Sequence, residues 1–143
     1  MRLAPIERPP TMMLRVAYQI MRKRLGKVIT PAKVIYARVP ESLKLMKAMS
    51  DLQESGIKLD HETAFLVKTY VAGINKCAFC VDIGQAMALQ SGLDLTKFNH
   101  LHEYKTHPGF TARERAALDY VDEVTRNKTV SDATFARLQE HFN

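Results

Sequence analysis

The sequence predicts an all-α fold, a compact bundle of six to eight helices. Apolar residues recur at helical spacing in most segments long enough to form secondary structure. Residues that cap helices precede these segments, and glycines follow several of them. The chain has 143 residues, of which 46% are hydrophobic, so it can bury one core. We therefore expect a single helical domain over residues 1–143, with a basic N-terminal arm at 1–40.

The first predicted helix follows a proline-rich, extended segment at residues 1–10. Thr11 can cap this helix, and Gly26 can end it just after Leu25. Its apolar residues recur at helical spacing: Met13, Val16, Ala17 and Ile20. The helix is therefore amphipathic and basic, and we expect it to pack against its own domain or a neighbouring subunit.

Two more helices are predicted before residue 60. Thr30 and Pro31 read as a cap followed by a first-turn proline, which predicts a short helix from Ala32 to Ala37. Pro40 can open the next helix, and Gly56 can end it. The face that this helix should bury is apolar: Leu43, Leu45 or Met46, Met49 and Leu52.

The next segment, from Glu62 to Ile74, contains several β-forming residues, so a buried strand competes with a helix there. Thirteen residues without an internal breaker are long for a strand and ordinary for a helix, and Asp60 is a suitable cap. A further helix is predicted from about Ala78 to about Gln90, with Gly92 as its C-terminal cap. Its inward-facing residues should be Ile83, Ala86 and Met87.

The C-terminal part predicts a short helical stretch from Leu93 to Phe98, a long loop at 99–109 and two helices. Thr111 and Glu114 form a capping box for a helix that runs to about Asn127. Ser131 opens the last helix. The residues expected to be buried in these two helices are Ala117, Leu118, Val121, Val124, Phe135 and Leu138.

The net charge of +6 is uneven along the chain. Residues 1–58 hold 12 Lys and Arg against 4 Asp and Glu, whereas residues 59–143 hold 9 against 11. No nucleic-acid motif accompanies the N-terminal cations, so we interpret them as a solvated helix face. No segment is long and apolar enough to span a membrane, and the first ten residues do not resemble a signal peptide. We expect a cytoplasmic protein.

The two cysteines, Cys77 and Cys80, are three residues apart at the junction between two apolar segments. The first turn of a helix has unpaired N–H groups and a positive dipole end, which favour a thiolate. Lys76 adds a positive charge. A redox-active pair is the leading interpretation; inert core cysteines and metal ligation are the alternatives. A metal would need two more ligands, for which His100 and His102 are the candidates, and we predict no metal.

These segments resemble the alkyl hydroperoxidase D / carboxymuconolactone decarboxylase family. The resemblance rests on the apolar helix that leads into Asn75-Lys76-Cys77-Ala78-Phe79-Cys80, and on Asp82, Ala88 and Gly92 at the offsets seen in the family. A second signature of the family resembles Phe110-Thr111-Ala112-Arg113-Glu114-Arg115-Ala116-Ala117-Leu118. Residues 60–127 therefore form the expected family core.

The resemblance implies a thiol oxidoreductase that reduces a peroxide or disulfide substrate with its cysteine pair and is reset by an external dithiol. The family usually attacks with the second cysteine, here Cys80, whereas the helix-start argument points equally to Cys77. No cofactor is implied, and the chain has no glycine-rich phosphate loop. The family assembles as trimers or hexamers, so we expect a homo-oligomer.

The chain departs from the family at the proton relay. The family has a histidine four residues after the second cysteine and a glutamate twelve before the first; here these positions hold Gly84 and Phe65. Glu62, one helical turn before Phe65, and Asp82 are the carboxylates predicted to take part in catalysis. The missing histidine keeps an alternative open, that of a non-catalytic binding or scaffold member of the family.

Overall fold

The structure, a computed structural model, describes residues 3–142 apart from the side chain of Glu54, and the described backbone is helical without strands. The all-α prediction is confirmed. The described residues form seven α-helices: α1 Met12–Leu25, α2 Glu41–Asp51, α3 His61–Ile74, α4 Ala78–Gln90, α5 Thr96–Asn99, α6 Ala112–Asn127 and α7 Asp132–Gln139. Three shorter segments are π-helical (Ala32–Tyr36 and Leu52–Gly56) or 3-10 helical (Leu101–Glu103). Within residues 3–142, none of the helices combines the length and the apolar character that crossing a bilayer requires.

The chain divides into two compact units, Met1–Lys58 and Leu59–Asn143. The first unit contains α1, α2 and the two π-helical segments. The second contains α3 to α7 and both cysteines. The single domain over 1–143 and the basic arm at 1–40 stay predictions.

In the first unit, α1 begins and ends where the sequence predicts. The Thr11 hydroxyl accepts the backbone N–H of Leu14 at 3.3 Å, and Gly26 ends the helix in the left-handed conformation with φ of 71°. Tyr18 is buried, and its hydroxyl donates to the carbonyl of Ile6 at 2.9 Å. This hydrogen bond ties the extended N-terminal segment to α1.

The burial predicted for the first unit is wrong in α2. This helix has no buried residue, and Leu45, Met46, Met49 and Leu52 are 42–64% exposed. Its main contacts are with the π-helical segments on either side of it in the chain, which do not cover the apolar face. Thr30 is not a cap either, because the π-helical segment after Pro31 has no side-chain cap hydrogen bond and ends at Tyr36.

The core of the second unit is built around α3, which packs against α4 and α6. Asp60 caps α3 by accepting the backbone N–H of Thr63 at 2.8 Å, and the helix rather than the strand is confirmed for this segment. Residues from each of these helices and from the segment at 95–110 form one buried cluster: Leu66, Ala88, Phe98, Leu101, Tyr104, Phe110 and Leu118. The segment predicted as a long loop at 99–109 therefore contains core residues and one 3-10 turn.

Helical periodicity located most buried faces of the second unit, but it did not set how deeply each residue is buried. Ala117 and Leu118 are buried as predicted, and Val121 and Val124 are half-buried. Met87 and Phe135 were predicted to face inward but are 41% and 44% exposed. In α7 the buried position belongs to Thr134, whose backbone N–H donates to the capping Ser131.

A partly buried ion cluster joins three segments of the second unit. Lys97 lies 2.9 Å from Glu62 and 2.7 Å from Glu114, so one ammonium bridges two carboxylates. Glu114 is buried and also accepts the backbone N–H and the hydroxyl of Thr111, which confirms the capping box. Burial by itself would raise the pKa of the Glu114 carboxyl, but the hydrogen bonds from Lys97 and Thr111 outweigh it and hold that pKa below its ordinary value.

Replacing Lys97 should destabilise the second unit. Lys97→Met leaves Glu62 and the buried Glu114 without their common counter-ion, and we expect a loss of about 2 kcal/mol in the free energy of unfolding, because an unpaired buried polar group typically costs about 1–3 kcal/mol. Urea denaturation at pH 7 measures the loss. The matched control is Lys47→Met, since Lys47 pairs with Asp51 on an exposed surface and should contribute less than about 0.5 kcal/mol. Equal losses for the two variants would contradict a structural role for the cluster.

Glu114 should make stability depend on pH in the acid range. Because its pKa is lowered by folding, the stability it contributes is complete above its unfolded pKa of about 4.5 and is lost as the pH falls through the folded pKa. Wild type and Glu114→Gln should therefore differ most in their free energy of unfolding near pH 7. The difference should shrink from pH 4.5 down to the lowest pH at which the protein stays folded. Glu140→Gln, at an exposed carboxylate, serves as the control. A difference that stays constant from pH 7 to pH 3.5 would argue against this linkage.

Candidate redox site

Cys77 and Cys80 form a disulfide at the start of α4. Cys77 is the N-cap residue of this helix, and its Sγ accepts the backbone N–H of Cys80 at 3.3 Å. Cys77 is half-buried, whereas Cys80 is exposed. The sulfur pair therefore opens a helix, as the sequence predicts, where unpaired N–H groups can stabilise negative charge on sulfur.

The backbone reverses direction immediately before the disulfide. Lys76 adopts the left-handed conformation with φ of 54°, which is uncommon for a residue other than glycine. The N–H of Cys77 then donates to the carbonyl of Ala72 at 2.9 Å, across the C-terminal end of α3. Because of this reversal, the start of α4 packs against the end of α3, which sets the position of the two sulfurs.

A cavity of about 520 Å³ lies beside the turn that carries the disulfide, and neither cysteine is among its lining residues. Lys76 and Val81, the residues immediately before and after the cysteine pair, both line it. The rest of its apolar wall comes from α3, α5 and the 3-10 segment: Ile74, Phe98 and Leu101. Its other polar lining side chains come from α3, α4, α6 and the 3-10 segment: Thr69, Tyr70, Gln85, His102 and Arg126. The size suits a small organic molecule.

Thr69 is an unusual member of this wall. Its side chain is buried, and its hydroxyl has no hydrogen-bond partner among the described residues. Gly84, one helical turn after Cys80, faces it: a Cβ at Gly84 would lie only 3.0 Å from Thr69 Oγ1. A glycine at this position therefore leaves room for the threonine hydroxyl.

A hydrogen-bond network supports another part of the wall. The Tyr70 hydroxyl donates to Asp122 Oδ1 at 2.8 Å, and Arg126 Nε donates to the same oxygen at 2.6 Å. Burial by itself would raise the pKa of the Asp122 carboxyl, but these two donors hold that pKa below its ordinary value. The carboxylate thus stays ionised and orients both Tyr70 and Arg126 at the cavity.

The two predicted catalytic carboxylates do not line this cavity. Glu62 pairs with Lys97 near the start of α3, twelve residues and about 18 Å along the helix axis from Ile74, after which the cysteines follow. Asp82 is exposed on α4. Phe65, at the family's glutamate position, packs against the core. Within one chain, the structure brings neither carboxylate into the cavity wall beside the disulfide.

The alternative metal ligands, His100 and His102, have other contacts. His100 stacks on His107, with 4.3 Å between the ring centroids, and its Nδ1 lies 3.3 Å from a Glu103 carboxylate oxygen. His102 lines the cavity and contacts Glu103 at 3.2 Å. Among the residues that the structure describes, no three His, Cys, Asp or Glu side chains are grouped as metal ligands.

Thr69 and Arg126 were not predicted as residues of this site, and His102 was considered only as an alternative metal ligand. One signal was present for Thr69: it lies three residues after Leu66, on the buried side of an otherwise apolar helix. A polar residue at such a position needs a partner or a ligand. His102 and Arg126 had no comparable signal, because their approach to the cysteines depends on how α6 and the 3-10 segment pack.

The fold and the site define a helical protein with an accessible disulfide at the start of a helix. Residues 40–123 match the Carboxymuconolactone decarboxylase family, and the chain belongs to this family. The resemblance stated from the sequence is thus confirmed.

Curated relatives and a solved structure are consistent with this membership. The chain is 28% identical over 110 residues to the uncharacterized protein YdfG of Bacillus subtilis (strain 168), covering 76% of this chain and 74% of YdfG. It is 28% identical over 145 aligned positions to the uncharacterized protein YnjA of Escherichia coli (strain K12), covering 100% of this chain and 79% of YnjA. A crystal structure of ATU0492 from Agrobacterium tumefaciens, a protein of unknown function for which antioxidant defence as AhpD has been suggested, superposes with a TM-score of 0.69. That match has 33% identity and covers 77% of both chains.

The contact between Gly84 and Thr69 can be tested by stability. Replacing glycine by alanine inside a helix usually adds about 0.5–1 kcal/mol to the free energy of unfolding. We expect this gain for Gly73→Ala, because a methyl group there would meet nothing within 4 Å. We expect no gain for Gly84→Ala, because the methyl group would crowd Thr69 Oγ1.

A double-mutant cycle isolates the cause. In a Thr69→Ala background the crowding oxygen is absent, so Gly84→Ala should recover the gain seen at Gly73. Urea denaturation of the four proteins measures the coupling. An equal gain for Gly84→Ala with and without Thr69 would contradict the close approach of these two residues.

Proposed function

We propose that this protein is a cysteine-pair thiol oxidoreductase that reduces a peroxide or disulfide substrate and is reset by an external dithiol. The observation that supports it most directly is the disulfide that opens α4, with one sulfur exposed and the other accepting a helix N–H. Membership of the family and the similarity to ATU0492 are compatible with an antioxidant role.

The oxidative half of the proposed cycle consumes the dithiol form. A cysteine thiolate attacks the distal oxygen of a hydroperoxide, the O–O bond breaks, and the alkoxide takes a proton and leaves as an alcohol. The attacking cysteine becomes a sulfenic acid. The second cysteine displaces its hydroxyl as water and closes the disulfide, so that two electrons and two protons pass from the pair to the peroxide.

The reductive half restores the dithiol. One thiolate of the external dithiol attacks Cys80, the exposed sulfur, and the bond to Cys77 breaks. Cys77 leaves as a thiolate, which the backbone N–H of Cys80 and the dipole of α4 stabilise. The second thiol of the reductant then attacks the reductant's own sulfur in the mixed disulfide. Cys80 leaves as a thiolate, and the reductant departs as a disulfide. In this half of the cycle the sulfur of Cys80 is therefore the electrophile that the reductant attacks, and the sulfur of Cys77 is the leaving group.

The proposal assigns no side chain to the family's proton relay. Gly84 and Phe65 supply no acid or base, and Glu62 is committed to Lys97. Exposed Asp82 is the candidate for exchanging protons with water near Cys80. A positioned base typically contributes about a hundred- to ten-thousand-fold in rate, so we expect slower peroxide reduction than in family members that have the histidine.

A second function remains open because of the same two residues. A non-catalytic binding or scaffold member of the family would need neither a base at position 84 nor a carboxylate at position 65. Its cysteines would then be structural. The two functions differ in whether the sulfur pair turns over.

The homo-oligomer expected from the sequence stays a prediction. The exposed apolar side chains of α2 and of the π-helical segment after it, among them Leu45 and Leu52, support it, since contact between subunits would remove them from water.

A peroxidase assay with single-cysteine variants tests the proposed activity. Hydrogen peroxide consumption is followed with dithiothreitol as reductant for wild type, Cys77→Ser and Cys80→Ser. We expect turnover in wild type and at least a tenfold loss in both variants, because neither can close the intramolecular disulfide. Equal residual rates in all three proteins would remove the redox proposal and leave the binding or scaffold function.

The same variants separate the roles of the two sulfurs. The rate of iodoacetamide alkylation is measured against pH for the single thiol that each variant retains. We expect the Cys77 thiol, retained in Cys80→Ser, to be alkylated at lower pH than the Cys80 thiol, because only Cys77 accepts the N–H at the helix start. Identical pH profiles, or the reverse order, would contradict Cys77 as the leaving group.

A further inference from the structure

The cavity beside the disulfide has the features of a ligand site. Its volume of about 520 Å³ falls within the range of sites for small molecules, and its wall is mixed in character. Phe98 and Leu101 contribute core side chains to it, while Lys76 and Arg126 contribute positive charge. Of the residues that the structure describes, no Asp or Glu lines the cavity. Such a wall favours a molecule with an apolar body and a negatively charged group.

The charges of the wall favour one negative charge over two. Arg126 is already paired with Asp122, at 2.6 Å, and Asp122 does not line the cavity. Lys76 forms no ion pair with any residue that the structure describes. The wall therefore has about one uncompensated positive charge, which a monoanion balances, whereas a dianion would leave a charge in excess.

The unpartnered hydroxyl of Thr69 is an independent indication of a ligand. This side chain is 4% exposed, lines the cavity, and makes no hydrogen bond with any described residue. A buried hydroxyl without a hydrogen-bond partner costs stability. A ligand oxygen in the cavity would accept a hydrogen bond from this hydroxyl and remove this cost. Thr69 lies opposite Gly84, one turn of α4 beyond Cys80, so the polar group of the ligand would be held close to the sulfur pair.

We propose that this cavity binds the carboxylate form of an amphipathic organic acid, and that the peroxide or disulfide substrates of the cysteine pair carry such a carboxylate. Lys76 supplies the balancing charge, Thr69 donates a hydrogen bond to the bound molecule, and Phe98 and Leu101 contact its apolar chain. The identity of the reaction rests on the function proposed above, whereas binding to the cavity does not.

Calorimetric titration with octanoate, a redox-inert probe, tests the binding. The oxidised protein should bind one octanoate per chain, and octanamide, which has the same chain without the charge, should bind at least tenfold more weakly. Octyl phosphate should also bind more weakly than octanoate, because its second charge is unbalanced. Octanamide that binds as tightly as octanoate, or octyl phosphate that binds more tightly, would overturn the choice of a carboxylate.

Variants locate the probe in the cavity. Lys76→Met should weaken octanoate binding at least tenfold, and Lys76→Arg should retain it, since a lost charge-assisted hydrogen bond is worth about 1.4 kcal/mol or more, or tenfold. Thr69→Val, which keeps the shape of the side chain, should weaken it about fivefold. The matched control is Lys68→Met, because Lys68 lies on the exposed side of α3 and does not line the cavity. Equal weakening by Lys68→Met and Lys76→Met would show that surface charge alone attracts the probe and would overturn the proposal.

The two proposals fail in different ways. Turnover of hydrogen peroxide without saturable octanoate binding would overturn the carboxylate site and leave the oxidoreductase intact. Octanoate binding that Lys76→Met abolishes, in a protein whose cysteines do not turn over, would support the site and overturn the oxidoreductase. If both hold, octanoate should inhibit the reduction of a carboxylate-bearing hydroperoxide competitively and leave the reduction of hydrogen peroxide within twofold of its uninhibited rate.

Discussion

The reversal of the backbone between α3 and α4 determines where the sulfur pair lies. The N–H of Cys77 reaches back to the carbonyl of Ala72, and Lys76 takes a left-handed conformation to allow it. Cys77 consequently becomes the cap of α4, and the cysteine three residues later supplies the N–H that its sulfur accepts. The accessibility of one sulfur and the stabilisation of the other follow from this one turn.

The two halves of α3 have different roles. Near its start, the buried carboxylate of Glu114 and the half-exposed Glu62 share Lys97, and every buried charge there has a partner. Nearer its end, Thr69 is buried opposite Gly84, and its hydroxyl has no hydrogen-bond partner among the described residues. The first arrangement adds stability, whereas the second costs stability and leaves space. Native proteins tolerate such a cost mainly where a ligand or a reaction makes use of it.

Much of the fold could be predicted from local chemistry. Thr11, Asp60, Thr111 and Ser131 cap the helices that they were predicted to cap, because an N-cap hydrogen bond involves residues only three positions apart. The cysteine pair was predicted at a helix start because it lies at the junction between two apolar segments. Burial was less predictable: the apolar face of α2 is exposed, since periodicity shows which residues share a face and not whether another element covers it.

The sequence by itself determined the helices, their caps, the family signatures and the spacing of the two sulfurs, all of which depend on neighbours within about one helical turn. Only the tertiary structure decided what surrounds the sulfurs. It paired Glu62 with Lys97, and it brought Arg126 and His102 to the cavity beside the sulfurs. These contacts depend on how helices remote in sequence pack together, and no local pattern of residues specifies that packing.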